Sequence, residues 1–155
     1  MIAATASTRA ATIRAATAAD LPRVERLLEA SDLPMAGVRE ALGDFVVADA
    51  DGELVGVAGL EICCDDALLR SVAVHPDWRS NGVGRALVTR AISDAEARGI
   101  QALYLLTTTA ERYFPSFGFR KITRDEVPAA VRETDEFTKA CPASAAVMSR
   151  KLHAD

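Results

Sequence analysis

The stretch Leu69-Arg-Ser-Val-Ala-Val-His-Pro-Asp-Trp-Arg-Ser-Asn-Gly-Val-Gly-Arg-Ala-Leu87 decides how this chain of 155 residues is read. An apolar strand runs into an Arg-x-x-Gly-x-Gly turn, and the turn opens an amphipathic helix. Gly82 and Gly84 have no side chain to hold an anion off the backbone, and the first amides of a helix are unpaired donors at the positive end of its dipole. Arg79 and Arg85 add charge and forked donors suited to phosphate oxygens. The segment Arg79, Ser80, Asn81, Gly82, Val83, Gly84 and Arg85 therefore reads as a pyrophosphate cradle. The plainer alternative is a strand-to-helix turn whose glycines only satisfy backbone angles.

Two better-known phosphate loops fit poorly. A dinucleotide fingerprint needs a third small residue where Leu87 stands, and it opens the first strand-helix unit of its fold, whereas this turn lies mid-chain. A Walker loop needs Lys and then Ser or Thr after its last glycine, where Arg85 and Ala86 stand.

The rest of the chain alternates strands and helices around this turn. Thr12 to Ala15 reads as a first strand, and Thr17 caps a helix over Ala18 to Ala30 whose first turn holds Asp20, favourable to the dipole. A short helix over Met35 to Leu42 follows. Asp44 to Ala50 and Glu53 to Glu61 read as strands joined at Asp51-Gly52, a tight hairpin signal, and a turn at Cys63 to Asp66 leads into a strand over Leu68 to Val74. The helix over Gly82 to Arg98 puts Val83, Leu87, Val88, Ala91, Ile92 and Ala95 on one side and stops at Gly99. Leu103 to Thr108, reached by a helical crossover, is expected to run parallel to the strand before the turn. A helix over Ala110 to Phe117, a strand over Phe119 to Thr123, a helix after Pro128 and a strand over Ser144 to Leu152 complete the order.

Composition narrows the class. Half of the residues are hydrophobic and 26% are charged, which suits one compact, soluble domain over residues 12 to 155. A formal net charge of -4 argues against an extended nucleic-acid surface and favours a small partner. Three cysteines, two of them adjacent at Cys63 and Cys64, make no disulfide framework, so a reducing, cytoplasmic location is expected. No apolar run reaches membrane length. Residues 1 to 11 form an Ala/Thr/Ser stretch without an apolar signal core and are expected to be a flexible leader.

Leu69 to Leu87 closely resembles the acetyl-coenzyme A loop of the GNAT superfamily of N-acetyltransferases, down to the Val-Ala-Val-His-Pro strand end. The whole order of elements from Thr12 onward is similar to that superfamily's plan. The resemblance implies an α/β (α+β) fold with a mixed sheet of about seven strands flanked by helices. It further implies that the fourth and fifth strands splay apart and that the pantetheine arm of acetyl-CoA lies between them, paired with the backbone of Val72, Ala73 and Val74. An opened strand edge carries unpaired amides and carbonyls that such a ligand can satisfy.

A second signature, Ala110-x-x-Tyr-Phe-x-x-Phe-Gly-Phe119, resembles the superfamily's helix that ends in an aromatic residue, three residues and Gly-Phe. Many relatives carry there a tyrosine that protonates the leaving thiolate; here the position is Phe114, and a ring without a hydroxyl is no acid. Phe114 and Thr108 are expected to border the cofactor. Thr107 to Thr109 stand where relatives often have asparagine. Tyr113 is either a substitute acid or a half-buried packing residue. The segments Ala58 to Glu61, Leu68 to Val74 and Cys141 to Ser144 look like the acetyltransferase domain of N-acetylglutamate synthase and the single-domain relatives linked to arsenic resistance. The resemblance takes in the synthase's acetyltransferase domain and not its amino-acid kinase domain, and Ala145 stands where a lysine is common.

Acetyl transfer needs a base for the attacking amine. Glu61, near its strand's end, is the acidic candidate, with a solvated strand-end carboxylate as the alternative. Arg70 interrupts an apolar strand, as a paired edge residue or as a fork for a substrate carboxylate. His75, before Pro76, reads as a strand terminator. Cys63, Cys64 and Cys141 raise a thiol-metalloid reading, weakened because neighbours on a strand point to opposite faces. Three functions follow: an acetyltransferase for the amine of a small amino acid or amino-acid-like toxin, a coenzyme A-binding sensor without catalysis, and a metalloid-binding protein. Acetyl-CoA is the expected cosubstrate, with no metal, no membrane and no nucleic acid. A homodimer is left open.

Overall fold

A computed structural model describes residues 10–140 and 144–152. Residues 1–9 of the expected leader and Cys141 lie outside them. Seven strands form one sheet in the order β1-β2-β3-β4-β5-β7-β6. β1 (Thr12–Ala15), β2 (Phe45–Ala50), β3 (Glu53–Cys63) and β4 (Asp66–Val74) make an antiparallel meander. β5 (Ala102–Thr107) runs parallel to β4, and β7 (Ala146–Lys151) lies antiparallel between β5 and β6 (Arg120–Ile122).

The hairpin between β2 and β3 turns on Asp51 and Gly52, both with positive φ, as the Asp-Gly signal requires. Helices cover both faces. On one face α1 (Leu21–Ala30) buries Val24, Leu27 and Leu28 against Phe45, Val47 and Val57. On the other, α3 (Val83–Ala97) buries all six of the expected residues, from Val83 to Ala95. Each fully buried Leu or Val of this kind contributes about 1.5–3 kcal/mol over leaving it in water.

Two glycines of β3 set the depth of packing on the two faces. A Cβ on Gly56 would come within 2.7 Å of Leu87 under α3, and one on Gly59 would come within 2.3 Å of the Phe45 ring. Both side chains take the space that the glycines leave.

Several expected elements are shorter. Gly37, in the left-handed region at φ +81°, holds the second helix to α2 (Val38–Ala41) instead of Met35 to Leu42. Pro115 lacks the amide that a helix from Ala110 would need, and only a tight turn over Phe114–Phe117 forms. The helix after Pro128 is a single turn, α4 (Ala129–Arg132), followed by a widened turn over Glu136–Ala140. Asp20 stands in the first turn as expected, closing a capping box with Thr17, and it is also 1% exposed and bound to Arg14 and Arg23, each at 2.8 Å.

Candidate active site

β4 and β5 are paired only at their base. Their partners are Ala67 with Leu103 and Leu68 with Tyr104, and beyond these the strands part. A cavity of about 280 Å³ fills the opening. Four consecutive β4 residues, Leu69, Arg70, Ser71 and Val72, line it, so it follows the strand's open backbone edge and not one of its faces. A bulge deepens the parting. Val57 faces Ala73 and Gly59 faces Arg70, which leaves Ala58 opposite both Ser71 and Val72, with Ser71 at φ +59°.

At one end the opening meets the start of α3. The ladder of α3 begins with the Ala86 amide donating to the Gly82 carbonyl, so the amides of Val83, Gly84 and Arg85 precede it. Gly82 sits at φ +81° as the cap, a conformation that glycine adopts without a steric penalty. A recess of about 380 Å³ here is lined by Val74, Arg79, Ser80, Gly82, Gly84, Arg85 and Tyr113. A Cβ on Gly84 would project beside it, meeting the Tyr113 hydroxyl at 3.2 Å and Val74 at 3.5 Å. Arg79 donates through Nε to the Val74 carbonyl at 3.3 Å. Arg85 lies 4.5 Å over the Phe117 ring and donates to Ser116 Oγ, which presets its guanidinium beside the recess. Backbone donors, two arginines and room made by glycine suit a diphosphate.

At the other end stands Arg70, whose side chain is fully buried. Its Nη1 donates to Glu61 Oε1 at 2.9 Å, its Nη2 lies 3.3 Å from Glu136 Oε1, and its Nε donates to Ser71 Oγ at 3.1 Å. The Pro34 carbonyl is 3.5 Å from Nη2. A buried guanidinium is tolerated when its N–H groups meet acceptors in this way. Gly37 packs directly on the pair: a Cβ there would be 3.0 Å from Arg70 Nη1 and 3.7 Å from Glu61 Oε1.

The sequence matches the acetyltransferase (GNAT) domain family over residues 41–121, more than half of its length. The chain belongs to the GNAT family. Amino-acid acetyltransferases of Pasteurella multocida and Mannheimia succiniciproducens are 30% and 32% identical to it over 79% and 78% of its length. The match covers 30% of the length of each. N-acetylglutamate synthase from Neisseria gonorrhoeae, complexed with coenzyme A and N-acetyl-glutamate, superposes with a TM-score of 0.80 at 25% identity, over 93% of this chain and 35% of that one. A Mycobacterium tuberculosis protein in complex with CoA superposes with a TM-score of 0.78 at 25% identity, over 92% of this chain and 99% of that one.

Within this GNAT fold the expected residues divide among three places. Val72, Thr108 and Phe114 line the opening, with Arg70 at its floor. Val74, Arg79, Ser80, Gly82, Gly84 and Arg85 line the recess at α3. Tyr113 borders both, 38% exposed, and burial pushes its hydroxyl above the usual phenol range, so it stays protonated through neutral pH. Ala73 and Val83 turn their side chains into the cores, and Asn81 is exposed. Glu61 lines neither space. Its carboxylate faces a third recess, with Gly37, Glu40, Ala41, Asp44, Ile62 and Asp135. His75 caps the turn after β4, its Nδ1 accepting from the Asp77 amide, as its strand-terminating reading has it. Cys63 is buried, with its thiol pushed up to about 11, while Cys64 is exposed on the turn.

Sequence reasoning missed Glu136, Asp32 and the Ser71 bulge. No local pattern marks Glu136, which reaches Arg70 from a segment far along the chain. The bulge had one trace, a serine and an arginine interrupting an apolar run.

Proposed function

We propose that this GNAT protein transfers an acetyl group from acetyl-CoA to the primary amine of a small amino acid or amino-acid-like compound, by direct attack within a ternary complex. One observation carries the reading: beyond Leu68 the edge of β4 is free of β5, and the opening along it, which holds the buried Arg70, adjoins the recess of amides and arginines at α3 through Tyr113. Acetyl-CoA fits that path. Its diphosphate suits the amides of Val83 to Arg85 with Arg79 and Arg85, and its amide-bearing arm suits the free edge at Val72 to Val74. It would supply an activated thioester near Phe114.

The acceptor's carboxylate takes a remaining N–H of Arg70, a charge-assisted contact in a site shielded from water. Glu61, held against Arg70 behind the opening, takes through a bridging water the proton that the acceptor's ammonium must lose before its lone pair attacks, and passes it to solvent through the recess that it lines. With Phe114 in place of a hydroxyl, the departing thiolate takes its proton from water or from Tyr113. The buried, protonated Cys63 and the outward Cys64 favour this over a metalloid-thiolate role, and two free thiols favour a cytoplasmic setting. Amino-acid-like toxins join the acceptors on the resemblance of Ala58 to Glu61 and Leu68 to Val74.

Thiol release from acetyl-CoA with a panel of amines tests the reading directly. A protein that binds acetyl-CoA but releases thiol with no amine is a sensor. Gly84→Val is expected to weaken acetyl-CoA binding at least about 100-fold in calorimetry, because the branched side chain crowds the recess and lifts the diphosphate off the amides. Unchanged affinity removes the cradle from the site.

A further inference from the structure

The acetyl-transfer reading leaves the acceptor's chemistry open, and the charges around Arg70 restrict it. Among the described residues, Arg70 is the one cation that lines the opening, while Asp32 and Glu136 line it as acids. Each nitrogen of the Arg70 guanidinium already faces an acceptor: Ser71 Oγ at Nε, Glu61 at Nη1, and Glu136 with the Pro34 carbonyl at Nη2. Three of the five N–H groups donate in hydrogen bonds, and Glu61 and Glu136 already sit beside the charge, so an incoming α-carboxylate still finds a donor while a second carboxylate meets the like charge of Glu136 and Asp32. The neighbouring recess adds Glu40, Asp44 and Asp135 to Glu61, and no described cation lines it. Asp44 is itself paired with Arg98 across the surface.

We infer that the acceptor carries a single carboxylate and a neutral or basic side chain, and that Glu136 and Asp32 exclude acidic amino acids. Glu136 is set to do this. It touches the same guanidinium that would hold the acceptor, its own carboxylate is 6% exposed, and it lines the cavity wall. An ammonium beside it is attracted, and a side-chain carboxylate is repelled in a space too small and dry for much screening. The acceptor class thereby differs from that of a synthase acting on a dicarboxylate.

Glutamine and glutamate are matched in size and differ by one charge, so their kcat/KM ratio reads the rule. Glutamine and lysine are expected to exceed glutamate by about 10- to 100-fold, the span of one like-charge contact at an effective dielectric near 20. Glu136→Gln is expected to shrink the glutamine-to-glutamate ratio at least about threefold, with the change in KM. Asp32→Asn, on the exposed rim and at a left-handed position that asparagine tolerates, repeats the test without touching Arg70. Glutamate used as well as glutamine overturns the inference, as does a ratio that neither variant moves. Should no amino acid be acetylated, the transfer reading fails by itself, and equilibrium dialysis of labelled glutamine and glutamate against the coenzyme A complex decides the charge rule. Retention of glutamine over glutamate supports it; equal retention, or retention of neither, overturns it.

Discussion

Two buried charge clusters in this molecule are near mirror images. Around Asp20, an acid 1% exposed, stand Arg14 and Arg23, with the Thr17 amide donating at 2.8 Å. Around Arg70, a fully buried base, stand Glu61 and Glu136. The same physics satisfies both: a desolvated charge is tolerated because opposite charges and hydrogen bonds surround it. Their surroundings differ. The Asp20 cluster ties β1, α1 and the hairpin tip together and borders no cavity of the opening, whereas the Arg70 cluster forms the floor of the space between β4 and β5. Burial and pairing are thus no mark of a functional charge. What sets the Arg70 cluster apart is the gap between β4 and β5, since Arg23 of the Asp20 cluster also borders a recess, one beside the hairpin tip.

The sharpest break of this comparison is Glu61→Gln. If Glu61 handles the amine's proton, turnover should fall about 100- to 10,000-fold, and the rising limb of the pH-rate profile should vanish with it. Retained turnover with an unchanged profile would make the Arg70 cluster as purely structural as its mirror image. Arg70→Met comes next. The acceptor's KM should rise about 10- to 100-fold, that of acetyl-CoA should stay nearly constant, and the preference for free amino acids over methyl esters should disappear. Because two carboxylates lose their partner, a stability loss of about 3–5 kcal/mol accompanies it, so kinetics are read well below the Tm. A parent enzyme equally active on esters rules out the carboxylate grip.

Asp20→Asn should behave in the opposite way, costing stability of about 1–3 kcal/mol and leaving both KM values alone. Its signature is pH. The Arg14 hydrogen bonds hold the Asp20 carboxyl well below the usual carboxylate range. The contribution is therefore complete above about pH 5, where an unfolded aspartate is almost fully ionised, and drains away as pH falls toward the folded value. Urea titrations at pH 7 and pH 3 should show parent and variant converging at the lower pH; a constant gap would mean that packing, not charge, accounts for the loss.

The clusters also show where sequence reading succeeds. The turn at Arg79 to Arg85 was legible because backbone amides and glycines act within seven residues, and the α3 face because helical periodicity alone selects it. The hairpin of β2 and β3 was legible from Asp51-Gly52. Arg70 stood out as a charge in an apolar run, yet its partners at Pro34, Glu61 and Glu136 come from three separate segments, and no spacing encodes such a meeting. The same holds for Asp20, whose place in the first helical turn was legible, while its partners Arg14 of β1 and Arg23 were not. The tight turn at Phe114 was misjudged for a local reason, since Pro115 stood in plain view.

The smallest expected effect belongs to Tyr113→Phe, and it tests whether the reaction needs a dedicated proton donor. The hydroxyl lies where a Cβ of Gly84 would almost touch it, at the diphosphate end of the path, while the ring packs edge-on against Phe114 and Phe117 at 5.2 Å. Phenylalanine keeps that packing and loses only the hydroxyl. A donor at that end can touch the diphosphate without serving the sulfur, so the KM for acetyl-CoA should shift by less than about threefold and turnover should barely change. The leaving thiolate is stable enough in water to depart without its proton being delivered, which a hydroxide-like leaving group is not. A collapse of turnover with acetyl-CoA binding intact would reverse this. It would make Tyr113 the acid that Phe114 cannot be, and the Arg70 cluster would then share the proton traffic with a residue on the opposite wall.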